Sequence, residues 1–216
     1  LMIKKAALEH LGGKYIYRFN NSKASNLCNG FAQLNNYLND MITKCPNEYF
    51  NTNLRGSGLK FKLSNLDLKL IKGHEISDLA LQGLKFNEKR FNNSHTKVQV
   101  FMLENDDKTI AIEIPTWIHP QEINNFIKIF KSKTPLTGHI DLLRVDDNKI
   151  WIWDYKPNAF QEKYAATQVY FYALMLSQRT NIDLNEFRCG YFDSDYAYAF
   201  KPELKLLENK PLIEFL

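Results

Sequence analysis

Apolar residues recur at two different spacings along this 216-residue chain. Over residues 22–43, Leu27, Phe31, Leu34, Leu38 and Met41 fall at helical intervals, with Ser22 or Ser25 as cap and Pro46 just past the end. Residues 64–91 predict a second helix, broken at Gly73. Residues 97–104 and 109–117 predict two strands around Asn105-Asp106-Asp107. Ile123, Phe126, Ile127 and Phe130 give 120–131 the pattern of a short helix, with Pro120 in its first turn. A helix over 161–178 and a closing strand pair over 188–193 and 196–200 follow. Tyr15 to Phe19 alternates like a short strand, and 51–63 predicts a basic loop.

The centre of the chain, GHIDLLRVDDNKIWIWDYKP at 138–157, carries the most information. Residues 139–145 and 150–155 have the Ile, Leu, Val and Trp content of strands buried on both faces. Asp147-Asn148 suits a tight turn between them. An antiparallel hairpin centred there places Asp141 opposite Asp154 and His139 opposite Lys156. Alternation then puts all four side chains on one face, beside the apolar Leu143, Val145, Ile150 and Ile152.

Directly opposed side chains have Cβ atoms about 4.5–5.5 Å apart, and like charges there destabilise a sheet. Two such carboxylates share either a proton or a cation. The alternative, a solvated face or a pair neutralised by Lys156 alone, fits poorly with apolar neighbours on both strands. Oxygen donors next to a lysine suit a hard cation such as Mg²⁺.

Gly138 with Asp141, then Asp154-Tyr155-Lys156, then Gln168 with Tyr172 resemble the signature of the PD-(D/E)XK nuclease superfamily, in its RecB-like branch. The resemblance covers 137–176 clearly and reaches back loosely to Leu70. It implies an α/β fold with a restriction-endonuclease-like core: a mixed central sheet flanked by helices, in the order helix, three strands, helix, strand. Residues 63–216 would form that core and 1–62 a mainly helical N-terminal addition. It also implies a metal-dependent nuclease using Mg²⁺ or Mn²⁺, bound by Asp141, Asp154 and the Tyr155 carbonyl. Lys156 would assist water activation and offset phosphate charge. Gln168 would serve catalysis and, with Tyr172 and His139, touch substrate. Glu113, in a Glu-x-Pro, and His74, near the start of the upstream helix, are further candidate metal ligands, with Glu75 and Asp78, one and four residues after His74, as alternatives. Relatives more often have histidine at the position of Ser77. Pro157 departs from the usual Thr or Ser and ends strand pairing near Lys156.

DNA is the expected substrate, in repair, recombination or defence, with RNA left open. Two rivals stay open: a nucleic-acid-binding module without turnover, and a subunit of a larger helicase–nuclease assembly. The start at Leu1-Met2 reads as a cloning remnant or a fragment boundary. Tyr164, Tyr170, Phe171 and Tyr172 offer either base-stacking rings or core packing.

Composition narrows this further. No apolar run approaches the ~20 residues of a membrane span, and no secretory apolar segment opens the chain. The 3 cysteines lack ligand spacing and cannot all pair internally, as expected of an intracellular protein. Residues 1–108 hold 16 Lys/Arg against 10 Asp/Glu, whereas 109–216 hold 12 against 14. The basic surplus thus lies away from the acidic pair, where it can attract a phosphate backbone.

Overall fold

The computed structural model describes residues 3–208. Residues 1–2, and residues 209–216 at the end of the expected core, lie outside the described residues. Eight strands form one mixed sheet: β1 (Ile3–His10), β2 (Gly13–Asn20), β3 (Lys69–Ile71), β4 (Thr109–Ile118), β5 (Leu136–Asp146), β6 (Lys149–Tyr155), β7 (Phe187–Phe192) and β8 (Ala197–Phe200). Their order is β1-β2-β4-β5-β6-β7-β8-β3. Neighbours pair antiparallel except β6 and β7, which are parallel. A parallel pair needs a long crossover, and a helix, Ala165–Thr180, supplies it.

The other helices are α1 (Asn21–Leu27), α2 (Ala32–Thr43), α3 (Glu75–Phe86), α4 (Ser94–Asn105), α5 (Phe126–Phe130) and the short α7 (Lys205–Glu208), so that crossover is α6. Residues of α2 and α6 cover one sheet face, closing a core with Leu143, Val145, Ile150 and Ile152. Helices α3 and α4 cover the other, against Ile112, Leu142, Trp153 and Tyr155. Burying each large apolar side chain stabilises the fold by roughly 1.5–3 kcal/mol relative to exposure. With the short α5 inserted between β4 and β5, the order α4, β4, β5, β6, α6, β7 is the expected helix, three strands, helix and strand, and the fold class stands as a restriction-endonuclease-like α/β fold.

Several local expectations change. Residues 97–104 are helix, not strand: Asn93 caps α4 by accepting from the Thr96 amide. All six residues Val98 to Leu103 are buried, and a helix wrapped on most sides has no clear 3.6 period. The predicted helix over 64–91 is β3, a left-handed Gly73 (φ 66°), then α3. The predicted helix over 22–43 breaks between Leu27 and Ala32 into α1 and α2. Residues 120–131 are a short 3₁₀ turn followed by α5, with Ile127 exposed. Crossover α6 begins at Ala165 rather than 161.

The N-terminal segment contributes strands as well as helices. Hairpin β1–β2 pairs along its full length and joins the sheet through Arg18 opposite Ile112 and Phe19 opposite Ala111. A loop strand then lies beside β5, where Arg55 bridges Thr137. The sheet therefore continues across residue 62. Among the described residues, no helix is long and apolar enough to cross a membrane.

Candidate active site

Asp147 (φ 48°) and Asn148 (φ 54°) both sit in the left-handed region, the geometry of the tightest hairpin turns. That turn sets the expected register, from Asp146 opposite Lys149 to Leu142 opposite Trp153. Beyond it the ladder opens. The Tyr155 amide donates to Asp141 Oδ2 at 3.1 Å, while the Lys156 amide donates to the Phe192 carbonyl on β7. Asp141 and Asp154 line one pocket of about 400 Å³ at this divergence.

Asp154 is nearly inaccessible, and its Oδ2 lies 2.6 Å from Lys156 Nζ. Gln168 on α6 ties the two together: Nε2 donates to Asp154 Oδ1 at 2.9 Å, and Oε1 accepts from Lys156 Nζ at 3.1 Å. The same Nε2 reaches the Tyr172 hydroxyl at 3.2 Å. The Tyr172 ring lies flat against two backbones. A Cβ on Gly138 would meet it at 2.3 Å, and one on Gly56 at 2.5 Å. Glycine at 138 is what lets α6 approach β5 this closely.

Glu113 enters from β4, between Ile112 opposite Leu142 and Ile114 opposite Ile140. Its φ of 54° is rare for a non-glycine residue, and such strain concentrates at functional sites. Gln99 of α4 donates to its Oε1 at 2.7 Å.

Three carboxylates in one enclosure perturb one another. Burial, Asp154 and Glu113 push Asp141 well above the ordinary range, against Lys156 and the Tyr155 amide. Burial also raises Glu113, and Asp154 adds to it, while Gln99 and Arg55 oppose. Burial acts against the charge of Lys156, but Asp154 and Asp141 more than offset it, so its pKa is raised. Lys156 is thus a firmly held ammonium.

His139 lines the pocket but does not stand opposite Lys156. It pairs with Pro115 on β4, and its ring stacks on Tyr15 at 3.7 Å. His74 is not at the pocket. It caps α3, with Nδ1 accepting from the Ile76 amide, and its ring leans on Trp153 on the far sheet face. Glu75 is taken up by Arg144 and Lys108, and Asp78 is exposed on α3. Tyr170 and Phe171 are core residues and offer no stacking surface, whereas Tyr172, also buried, lines the pocket; Tyr164 sits beneath the Lys60 ammonium.

Several pocket residues escaped the sequence reading. His95, in the first turn of α4, lines the pocket. Burial lowers its pKa, Asp154 raises it, Lys156 lowers it, and a backbone hydrogen bond at Tyr155 favours its charged form. Its signal was the Asn93 cap, hidden when 97–104 was taken for a strand. Lys14, Arg18 and Arg55 form a basic wall from the N-terminal segment.

A family model matches residues 73–211, and it is that of the PD-(D/E)XK nuclease superfamily. The chain belongs to this superfamily. No curated protein and no solved structure matches it. Membership implies a nucleic-acid substrate and points to nuclease activity, which in PD-(D/E)XK nucleases generally depends on a divalent metal. The donors present fit such an ion. All are oxygens, and Asp154 Oδ2 is a buried atom with no aligned hydrogen bond despite the nearby ammonium. Among the described residues, no group of three or more His, Cys, Asp or Glu side chains is arranged to enclose a metal. An Mg²⁺-type ion uses one or two carboxylates and completes its shell with water and substrate phosphate.

Proposed function

We propose that the chain is a metal-dependent deoxyribonuclease of the RecB-like branch, with Asp141 and Asp154 as the carboxylates that hold Mg²⁺ or Mn²⁺. The Tyr155 carbonyl and Glu113 complete the candidate metal set. The observation that carries this reading is the three-way contact of Asp154, Lys156 and Gln168, with Asp154 Oδ2 buried and left without an aligned partner. It joins the second and third motifs of the branch at one point in space, and Gly138 against Tyr172 joins the first to the third. Residues 63–216 are proposed as the nuclease core, and 1–62 as an addition that closes the pocket.

A bound divalent ion supplies a nucleophilic water near neutral pH and charge stabilisation at the phosphoryl oxygens. The side chains do the rest. Lys156, held cationic, offsets charge that develops on the phosphate and orients the attacking water from its fixed position. Gln168 keeps Asp154 and Lys156 in register, since a lysine only donates and a carboxylate only accepts.

Purified protein incubated with linear, circular and single-stranded DNA, in Mn²⁺, Mg²⁺ or EDTA, tests this. Metal-dependent cleavage that disappears in Asp154→Ala is expected, and the products separate end-acting from internal cutting. Binding without cleavage in either metal would overturn it. That outcome would favour a binding module, or a nuclease subunit that needs a helicase partner. One feature favours the module: each carboxylate already has one oxygen occupied by the protein, Asp141 Oδ2 by the Tyr155 amide and Asp154 Oδ1 by Gln168.

A further inference from the structure

The superfamily match begins at residue 73, yet one wall of the pocket comes from residues 14–57. At its centre is Arg55, whose Nη1 donates to the Leu11 carbonyl. Its Nη2 donates to the Tyr15 hydroxyl at 2.6 Å and lies 3.3 Å from His139 Nδ1. The guanidinium also lies over the Tyr15 ring, 5.2 Å from its centroid. A Cβ on Gly12 would meet Nη1 at 2.3 Å, so a side chain at that position would displace the guanidinium from its present place.

A guanidinium has five N–H groups and no acceptor. Its contact with His139 therefore makes Nδ1 of that ring the acceptor, and the tautomers follow. His139 Nε2–H donates to His10 Nδ1 at 2.8 Å, and His10 Nε2–H donates to Asn47 Oδ1 at 2.8 Å. His10 is itself stacked on Phe50 at 3.9 Å. Donation thus runs one way, from Arg55 through His139 and His10 to Asn47. Backbone contacts pin the same segment: the Thr137 amide donates to the Leu54 carbonyl at 3.1 Å, and Gly56 rests on Tyr172.

Three polar contacts leave Nε–H and one Nη1–H of Arg55 unspoken for among the described residues, and no carboxylate lies within 4.0 Å. Its charge nonetheless reaches the site, favouring the ionised forms of Glu113 and Tyr172. A fixed, unpaired guanidinium facing a nuclease pocket fits a phosphate oxygen better than any other group of the substrate.

We propose that Arg55 grips a backbone phosphate of the substrate strand, and that His139, His10 and Asn47 are positioning residues that aim it. This deepens the nuclease reading and rests on it. Holding Arg55 rigid means that ordering of its long side chain precedes binding, which raises affinity.

The test is binding of a labelled DNA strand by the full chain, in Ca²⁺ so that bound strands survive, across a salt series. Arg55→Gln is expected to weaken binding about tenfold, an energy equivalent of about 1.4 kcal/mol. It should also flatten the log K against log salt slope by about 0.7–0.9, the loss of one phosphate contact. Arg55→Lys should restore the slope but not the full affinity, because it keeps the charge and loses the fork. His10→Phe keeps the stack and removes the relay. It should weaken binding in the wild-type background but add nothing to Arg55→Gln, a non-additivity that a merely structural role would not produce. Wild-type affinity and slope in Arg55→Gln would overturn the assignment and leave the nuclease reading intact. A wild-type chain that binds no strand would remove both.

Discussion

The side-chain amide of Gln168 spans Asp154 and Lys156, donating to Asp154 Oδ1 at 2.9 Å and accepting from Lys156 Nζ at 3.1 Å. Because each end of the amide meets a group that can only accept or only donate, its orientation is set. Gln168→Ala should leave the fold intact and cost about 10²-fold in cleavage rate, the scale of a misaligned catalytic group. Gln168→Glu should cost more, because it adds a fourth carboxylate beside Asp154. Single-turnover kinetics at saturating metal would separate rate from binding.

Asp141 should destabilise the metal-free protein at neutral pH. Its folded pKa is raised, so the stability it contributes is complete only below its unfolded value and is lost as pH rises through the folded one. Asp141→Asn keeps an acceptor for the Tyr155 amide and removes the charge. Without metal at neutral pH it should melt higher, by about 2–4 °C for each ~1 kcal/mol regained. Saturating Mg²⁺ or Mn²⁺ should raise the wild type and not the variant, and cleavage should vanish. Melting curves with and without metal report both.

Gly138→Ala forces a methyl into the Tyr172 ring. Overpacking of this kind costs about 1–3 kcal/mol and pushes α6, with Gln168, away from Asp154. Urea denaturation should show the loss. Pairing it with Tyr172→Ala, which opens the space, should give less than the sum of the two single effects.

His74 supplies a pH dependence away from the pocket. Burial lowers its pKa from 6.5, with Arg144 adding to the effect. Below pH 6.5 the unfolded chain therefore takes up a proton that the folded chain refuses, and stability falls as pH falls. His74→Asn keeps the cap on α3 and removes the titration. The stability gap between wild type and variant should shift toward the variant as pH drops through this window, with a slope of at most about 1.4 kcal/mol per pH unit. A gap that stays constant with pH would count against it.

What could be read from the chain alone was local. Asp147 and Asn148 adopt the left-handed turn that their residue types favour, so alternation counted outward from them yields the register through Leu142 and Trp153. That count also brings Asp141, Asp154 and Lys156 to one end of one face, and the four-residue spacing of Gln168 and Tyr172 puts both on one side of α6. Where burial erased the pattern, as in the six consecutive buried residues of α4, helix was mistaken for strand and His95 was lost with it.

Tertiary structure decided the rest, because the contacts join residues with no local relationship. His10 and His139 are 129 positions apart and meet only because β2 pairs beside β4 and the 51–63 loop folds onto β5. His74 and His95 both open helices on the same sheet face, yet only His95 reaches the pocket; Trp153 and the α3 cap claim His74. The sequence by itself determined the acidic hairpin, since turn chemistry and alternation act over a few residues, and the fold class came with the family resemblance of its motifs. The walls around that hairpin, and the basic group facing it, depend on sheet order and packing across the whole chain.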